Sequence, residues 1–144
     1  IVKEGKGIAL INFGARLKEC LIAHKNLLKK GINMSVVDAR FAKPLDENLI
    51  WQMATDHEVL ITIEEGSIGG FASHVLNYIH NIRIKKTSIT VKNIFFPDKF
   101  IDHMTPDEQY REVFMDVDSI IQKIKSFYDD KVIDIKNFNF KKNI

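Results

Sequence analysis

Short apolar runs and helix-patterned segments alternate along this 144-residue chain, and that alternation constrains its fold more than any other feature. IALINF (8–13) leads into ARLKECLIAHKNLLKKG, MSVVDAR (34–40) into KPLDENLIWQMA, and EVLITIEEG into GGFASHVLNYIH; SITVKNIFF (88–96) then stops at Pro97. Parallel strands need crossovers, and strands that are apolar along their whole length need cover on both faces. The pattern therefore predicts an α/β fold with a parallel or mostly parallel sheet between two helical layers.

Local signals place the helices. The first carries Leu17, Leu21 and Leu28 at helical spacing and ends at Gly31. Asp46 is the expected N-cap of the second, with Leu49, Ile50 and Met53 on its inner face. Phe71, Val75, Leu76 and Ile79 mark the inner face of the third. In TPDEQY, Thr105 reads as an N-cap, Pro106 as the first helical residue and Glu108 as the closure of a capping box. The last helix shows a stripe of Val117, Ile120, Ile121, Ile124, Phe127 and Tyr128. From Asp129 the period is lost. The expected organisation is a domain over 1–128 and a flexible, loosely attached extension over 129–144.

Bulk composition excludes several classes of function. The net charge of +2 offers no field strong enough to recruit nucleic acid. No apolar run approaches the ~20 residues needed to cross a bilayer, so neither nucleic acid nor membrane is an expected partner. Cys20 is the only cysteine, which leaves no disulfide to form. The chain opens on Ile1 rather than Met, with a strand eight residues in, and is expected to be a piece of a longer polypeptide.

In open α/β sheets ligands gather at the carboxyl ends of the strands, so the turns NFGA, DARFAKPLD, EEGSIGG and FFPDKFIDH are where chemistry is sought. The glycines of EEGSIGG have the context of a phosphate loop but not its spacing, and Glu64 and Glu65 place negative charge where a phosphate would sit. Successive strand residues face opposite sides, so the two glutamates are not read as an acid–base pair. They are read as a strand terminus whose carboxylates accept from the next helix's free amides or from a nearby Arg or Lys, with Gly66, Gly69 and Gly70 shaping the turn. Asp38 could suggest a phosphoryl acceptor, but Asn12, Phe13 and Gly14 stand where the acidic partners for Mg²⁺ would be needed. A pairing of Asp38 with Arg40 or Lys43 is expected instead. Cys20 and His24 share the stripe of Leu17 and Leu21 and read as a core-lining pair; Trp51 reads as core or interface. His57, His74, His80 and His103 show no metal spacing. No catalytic constellation emerges.

Three segments taken together, VVDARFAKPLDENLI, ITIEEGSIGGFASHVLNYI and FFPDKFIDH, resemble the C-terminal, transketolase C-terminal-like domain of 1-deoxy-D-xylulose-5-phosphate synthases. Transketolases and the beta subunits of 2-oxo-acid dehydrogenases close with a similar domain. The forms RF-x-KPLD at Arg40 to Asp46 and PD-x-FI-x-H at Pro97 to His103 favour the synthase. Gly66 departs from the family's usual Asn, Ala72 and Met104 from frequent glycines, and the segment 81–92 is longer and more basic than the family norm.

The resemblance implies a three-layer α/β/α domain with a five-stranded mixed, mostly parallel sheet. It also implies a parent transferase that condenses pyruvate with glyceraldehyde 3-phosphate for isoprenoid precursors, using thiamine diphosphate and Mg²⁺. In that family the cofactor, the metal and the acid–base histidines belong to preceding domains, so no catalytic, cofactor-binding or metal-ligating residue carries over and the isolated piece is expected to be inactive. The implied role is packing against the preceding domains of the same polypeptide and homodimerisation. Asp38, Arg40, Lys43, Asp46, Glu64, Glu65, Gly69, Gly70 and Phe71 are the candidate contacts. The Ile-, Lys- and Asn-rich composition and the extra tail lean towards a plastid-type organelle of an AT-rich parasite, with a bacterial cytoplasm as alternative. The rival readings are another thiamine enzyme's C-terminal domain and a free-standing flavodoxin-like regulatory module.

Overall fold

The computed structural model describes the backbone of residues 1–82 and 89–142, with side chains through residue 130. Elements alternate as the sequence predicts: β1 (Ile8–Phe13), α1 (Leu17–Leu28), β2 (Met34–Asp38), α2 (Glu47–Asp56), β3 (Val59–Glu64), α3 (Phe71–Asn81), β4 (Thr90–Ile94), α4 (Pro106–Glu112) and α5 (Val117–Lys142). The predicted start of the fourth strand, Ser88, and residues 83–88 of the basic segment lie outside the described residues.

Among the described residues the sheet has four strands in the order β2-β1-β3-β4, and every neighbouring pair is parallel. The expected mostly parallel sheet is present, with four strands rather than five among the described residues. Among the described residues the antiparallel pairing is a single bridge from Lys3 to Val36, closed by Val36 N donating to Lys3 O at 2.9 Å and Lys3 N donating to Val36 O at 3.0 Å. The strap stays that short because it turns away at Gly5, which rests on the Met34 backbone so closely that any Cβ there would collide with it. Gly5 N donates to Ser35 Oγ at 3.0 Å, and Ser35 Oγ lies 2.8 Å from His57 Nε2, fastening the strap to the end of α2.

Side-chain alternation splits the core into two layers. Ile8 and Leu10 of β1 pack with Val36, Ile61, Ile63 and the inner faces of α1 and α5; Ala9 and Ile11 pack with Val37, Leu60 and the inner faces of α2 and α3. The three-layer α/β/α architecture is therefore present as expected.

Helix phases are where the sequence reading needs adjustment. The buried stripe of α1 is Cys20, Ala23, His24 and Leu27, whereas Leu28 is half-exposed. Small residues let α1 approach the sheet, Leu17 and Leu21 pack against the edge of that core as expected, and only Leu28 departs from the expected stripe. In α3, Phe71, Ala72 and Val75 are buried and Leu76 faces outward. Trp51 is half-exposed and is not part of the core. Past Tyr128 the backbone stays helical to Lys142, giving α5 26 residues. No Gly or Pro follows Pro106, so nothing local interrupts that helix once it has started.

Candidate functional site

The chain leaves β1 outward to β2 and returns across β1 to form β3, so the connections after β1 and β3 diverge at the carboxyl edge. A topological switch point of this kind opens the crevice where α/β domains usually bind ligands. Here Phe13 and Gly14 stand on one side and the Glu64 to Gly70 turn on the other.

Glu64 ends β3 on the face that carries α2 and α3, and it is buried. Its Oε2 accepts from Phe71 N and its Oε1 from Ala72 N, both at 2.8 Å. The first turn of α3 has no cap from Gly70, so the carboxylate from the preceding strand satisfies two amides that a helix start leaves unpaired, at the positive end of the helix dipole. Two glycines make room for it: a Cβ on Gly66 would lie 2.9 Å from Glu64 Oε2, and one on Gly70 would collide with that oxygen. Gly69 sits at φ +100°, a conformation side chains resist. Phe71 then stacks on Phe13 with ring centroids 5.1 Å apart, which closes the mouth of the crevice on that face.

Glu65 turns to the opposite face. Its Oε1 accepts the hydroxyl of Tyr110 from α4 and lies 3.1 Å from Arg16 Nε at the start of α1. The Arg16 guanidinium carbon sits 3.5 Å above the Tyr110 ring, and Glu19 is 3.7 Å from Arg16 Nη1. The carboxylate holds the Tyr110 proton, and with burial it pushes the Tyr110 pKa up. Arg16, Glu65 and Tyr110 thus tie α1, the β3 turn and α4 into one joint. Asn12, fully buried at the end of β1, donates from Nδ2 to Gly14 O at 3.0 Å and shapes the neighbouring turn.

The two glutamates therefore face apart, as strand geometry requires, and each meets the kind of partner expected: helix amides for Glu64, an arginine for Glu65. Asp46 caps α2 through Leu49 N at 3.0 Å, again as expected. Thr105 N donates to Glu108 Oε2 at 3.0 Å at the start of α4. The expected pairing of Asp38 with Arg40 or Lys43 does not form among the described residues, and the backbone at Arg40 is left-handed, at φ +59°. Cys20 and His24 are both buried on α1, and burial pushes the Cys20 thiol up to about 12, the opposite of what a nucleophile needs. Arg16 and Tyr110 were not singled out from the sequence. An Arg one residue before a helix and a Tyr 45 residues from Glu65 leave no local signature.

A diphosphate brought to the start of α3 would find the first amides already taken by the Glu64 carboxylate. Among the described residues no group of three His, Cys, Asp or Glu side chains could hold a metal ion. The residues at this edge do not fit thiamine diphosphate or Mg²⁺. What the geometry defines is an α/β domain whose usual ligand crevice is filled by its own side chains.

The profile of the family described as "Transketolase, C-terminal domain" matches residues 1–120, and the chain belongs to that family. A solved structure described as "Split gene transketolase, inactive beta4 tetramer" is similar at 27% sequence identity with a TM-score of 0.77, over 88% of this chain and 40% of that one. The chain thus spans about two fifths of the length of the structure it matches.

Proposed function

We propose that this chain is the non-catalytic C-terminal domain of a 1-deoxy-D-xylulose-5-phosphate synthase, packing against preceding domains of the same polypeptide and taking part in its dimerisation. Family membership supports the class of parent enzyme, and the RF-x-KPLD and PD-x-FI-x-H forms at Arg40 to Asp46 and Pro97 to His103 favour the synthase within it. The observation that carries the non-catalytic role is the Glu64 carboxylate seated on the first amides of α3, which occupies the position an anionic ligand would need. Thiamine diphosphate and Mg²⁺ belong, in this proposal, to the preceding domains, and the whole enzyme works in a plastid-type organelle or a bacterial cytoplasm.

Two measurements test the proposal. Calorimetric titration of residues 1–144 with thiamine diphosphate and Mg²⁺ at millimolar levels is expected to give no saturable heat, and saturable binding would overturn the non-catalytic role. The full polypeptide is expected to consume pyruvate and glyceraldehyde 3-phosphate with release of CO₂. Ketol transfer between sugar phosphates without pyruvate would make the parent a transketolase, the alternative that the 27%-identical neighbour favours.

A further inference from the structure

Two buried polar side chains at the amino end of the sheet, Ser35 near the start of β2 and His57 at the C-cap of α2, form a run of hydrogen bonds that ends on the strap before β1. His57 Nδ1 lies 3.0 Å from Met53 O. A carbonyl can only accept, so Nδ1 carries the proton, and Nε2 of the neutral ring accepts from the Ser35 hydroxyl 2.8 Å away. Ser35 Oγ in turn accepts from Gly5 N at 3.0 Å, while Gly5 O lies 3.4 Å from the same oxygen. The hydroxyl has one proton to give. It can serve the ring or the strap carbonyl, but not both.

The charge on the ring decides between them. A second proton on the imidazole makes Nε2 a donor as well, so Ser35 Oγ must accept from it and turn its own proton to Gly5 O. The strap is then held through both Gly5 N and Gly5 O, where the neutral ring leaves only Gly5 N. Histidine is the side chain whose charge ordinarily changes between pH 5 and 8.

The surroundings admit that charge. A cavity of about 360 Å³ opens beside Ser35 and His57, room for several waters that can deliver the proton. Glu4 and Lys6 line it from the strap, and Gln52 and Asp56 from α2. Met34 and Val36, the neighbours of Ser35 on β2, bring no charge, and Glu58 precedes β3 as a third carboxylate one residue from the ring. Ile1 also lines the cavity, and in the full polypeptide its nitrogen is an uncharged amide. The carboxylates outnumber the one ammonium, and the C-terminal end of the α2 dipole adds to them, which offsets the cost of charging a buried ring.

We propose that Ser35 and His57 form a pH-dependent clasp, in which protonation of His57 turns the Ser35 hydroxyl onto Gly5 O and tightens the strap against β2. The clasp acts on the segment that leads into β1 and does not depend on which enzyme the parent is.

Hydrogen–deuterium exchange of the full polypeptide tests it, read on peptides covering 1–7 and 33–38 and corrected for the intrinsic pH dependence of exchange. One added hydrogen bond corresponds to roughly threefold to tenfold slower exchange of the strap at about pH 5.5 than at about pH 7.5, with β3 unchanged. Ser35→Ala removes the hydroxyl that turns and His57→Gln removes the charge, so each should abolish the pH dependence. Strap protection that is equal at the two pH values, or weaker at the acidic one, would overturn the proposal, and that comparison needs only the wild type. An undiminished pH dependence in either variant would overturn it as well. These outcomes leave the pyruvate assay untouched, so failure of the clasp and failure of the enzyme assignment are read separately.

Discussion

Replacing Glu64 by Gln removes one charge and leaves the shape nearly intact, which makes it the sharpest probe of the joint between β3 and α3. In the wild type both carboxylate oxygens accept amide protons at 2.8 Å from Phe71 and Ala72. Glutamine offers one acceptor, and its amide group would set a donor against the second N–H in a site that is 3% exposed. Hydrogen bonds to charged groups contribute about 1.5–3 kcal/mol each, and a buried donor left unpaired costs about 1–3 kcal/mol. The expected destabilisation is about 2–4 kcal/mol, or a melting temperature lower by roughly 6–15 °C for a chain of this size. Urea unfolding followed by far-UV circular dichroism measures it, with an unchanged m-value showing that the unfolded state is not the cause. Gly70→Ala adds the specificity: its Cβ collides with Glu64 Oε2, so the substitution should cost at least about 1 kcal/mol less in a Glu64→Ala background than in the wild type. A Glu64→Gln variant within about 0.5 kcal/mol of wild type, or strictly additive effects of the two sites, would refute the assignment of this carboxylate as the cap of α3.

Three further outcomes are expected. Tyr110 has a raised pKa in the folded chain, first through the hydrogen bond to Glu65 and then through burial, so its contribution is fully present below the unfolded value of about 10 and lost as pH rises through the folded one. Urea unfolding between pH 8 and 11 should show a steeper alkaline loss in wild type than in Tyr110→Phe; equal slopes would mean that the Glu65 contact contributes nothing. Cys20, pushed up to about 12 by burial and by Glu19, is held as the thiol, so iodoacetamide should label it only after unfolding, and rapid native-state labelling would contradict its burial on the sheet side of α1. Gly5→Ala should cost about 1–3 kcal/mol and release the strap, seen as faster amide exchange at Val36 with the exchange of β3 unchanged; an unaffected Val36 amide would show that the close approach to Met34 relaxes freely.

Much of this chain is legible locally. Strand positions, the cap at Asp46, the start of α4 at Thr105 and the opposite facing of Glu64 and Glu65 follow from spacing and from the hydrogen-bonding needs of helix ends, which act over three or four residues. On α1 the expected core side holds for Leu17, Cys20, Leu21 and His24 but not for Leu28, whose place by the sheet goes to Leu27 because the packing against β1 and not residue type decides the last turn. The pairing expected of Asp38 is absent among the described residues, and the left-handed backbone at Arg40 in the turn that follows has no signal in the sequence, since the residue there is not glycine.

Sequence by itself determined that this chain forms strands with helical crossovers, that its glycine-rich turn has neither the spacing nor the charge to cradle phosphate, and, by resemblance, which family to look in. Only the tertiary structure decided that the described residues form a four-stranded parallel sheet with a one-bridge strap, that Arg16 and Tyr110 meet on Glu65, and that Phe41, Ile68, Phe100 and Phe114 stay exposed. The division follows from range. Periodicity and capping are properties of consecutive residues, whereas the joint at Glu65 brings together positions 45 apart whose meeting is set by strand order and by nothing in their neighbours.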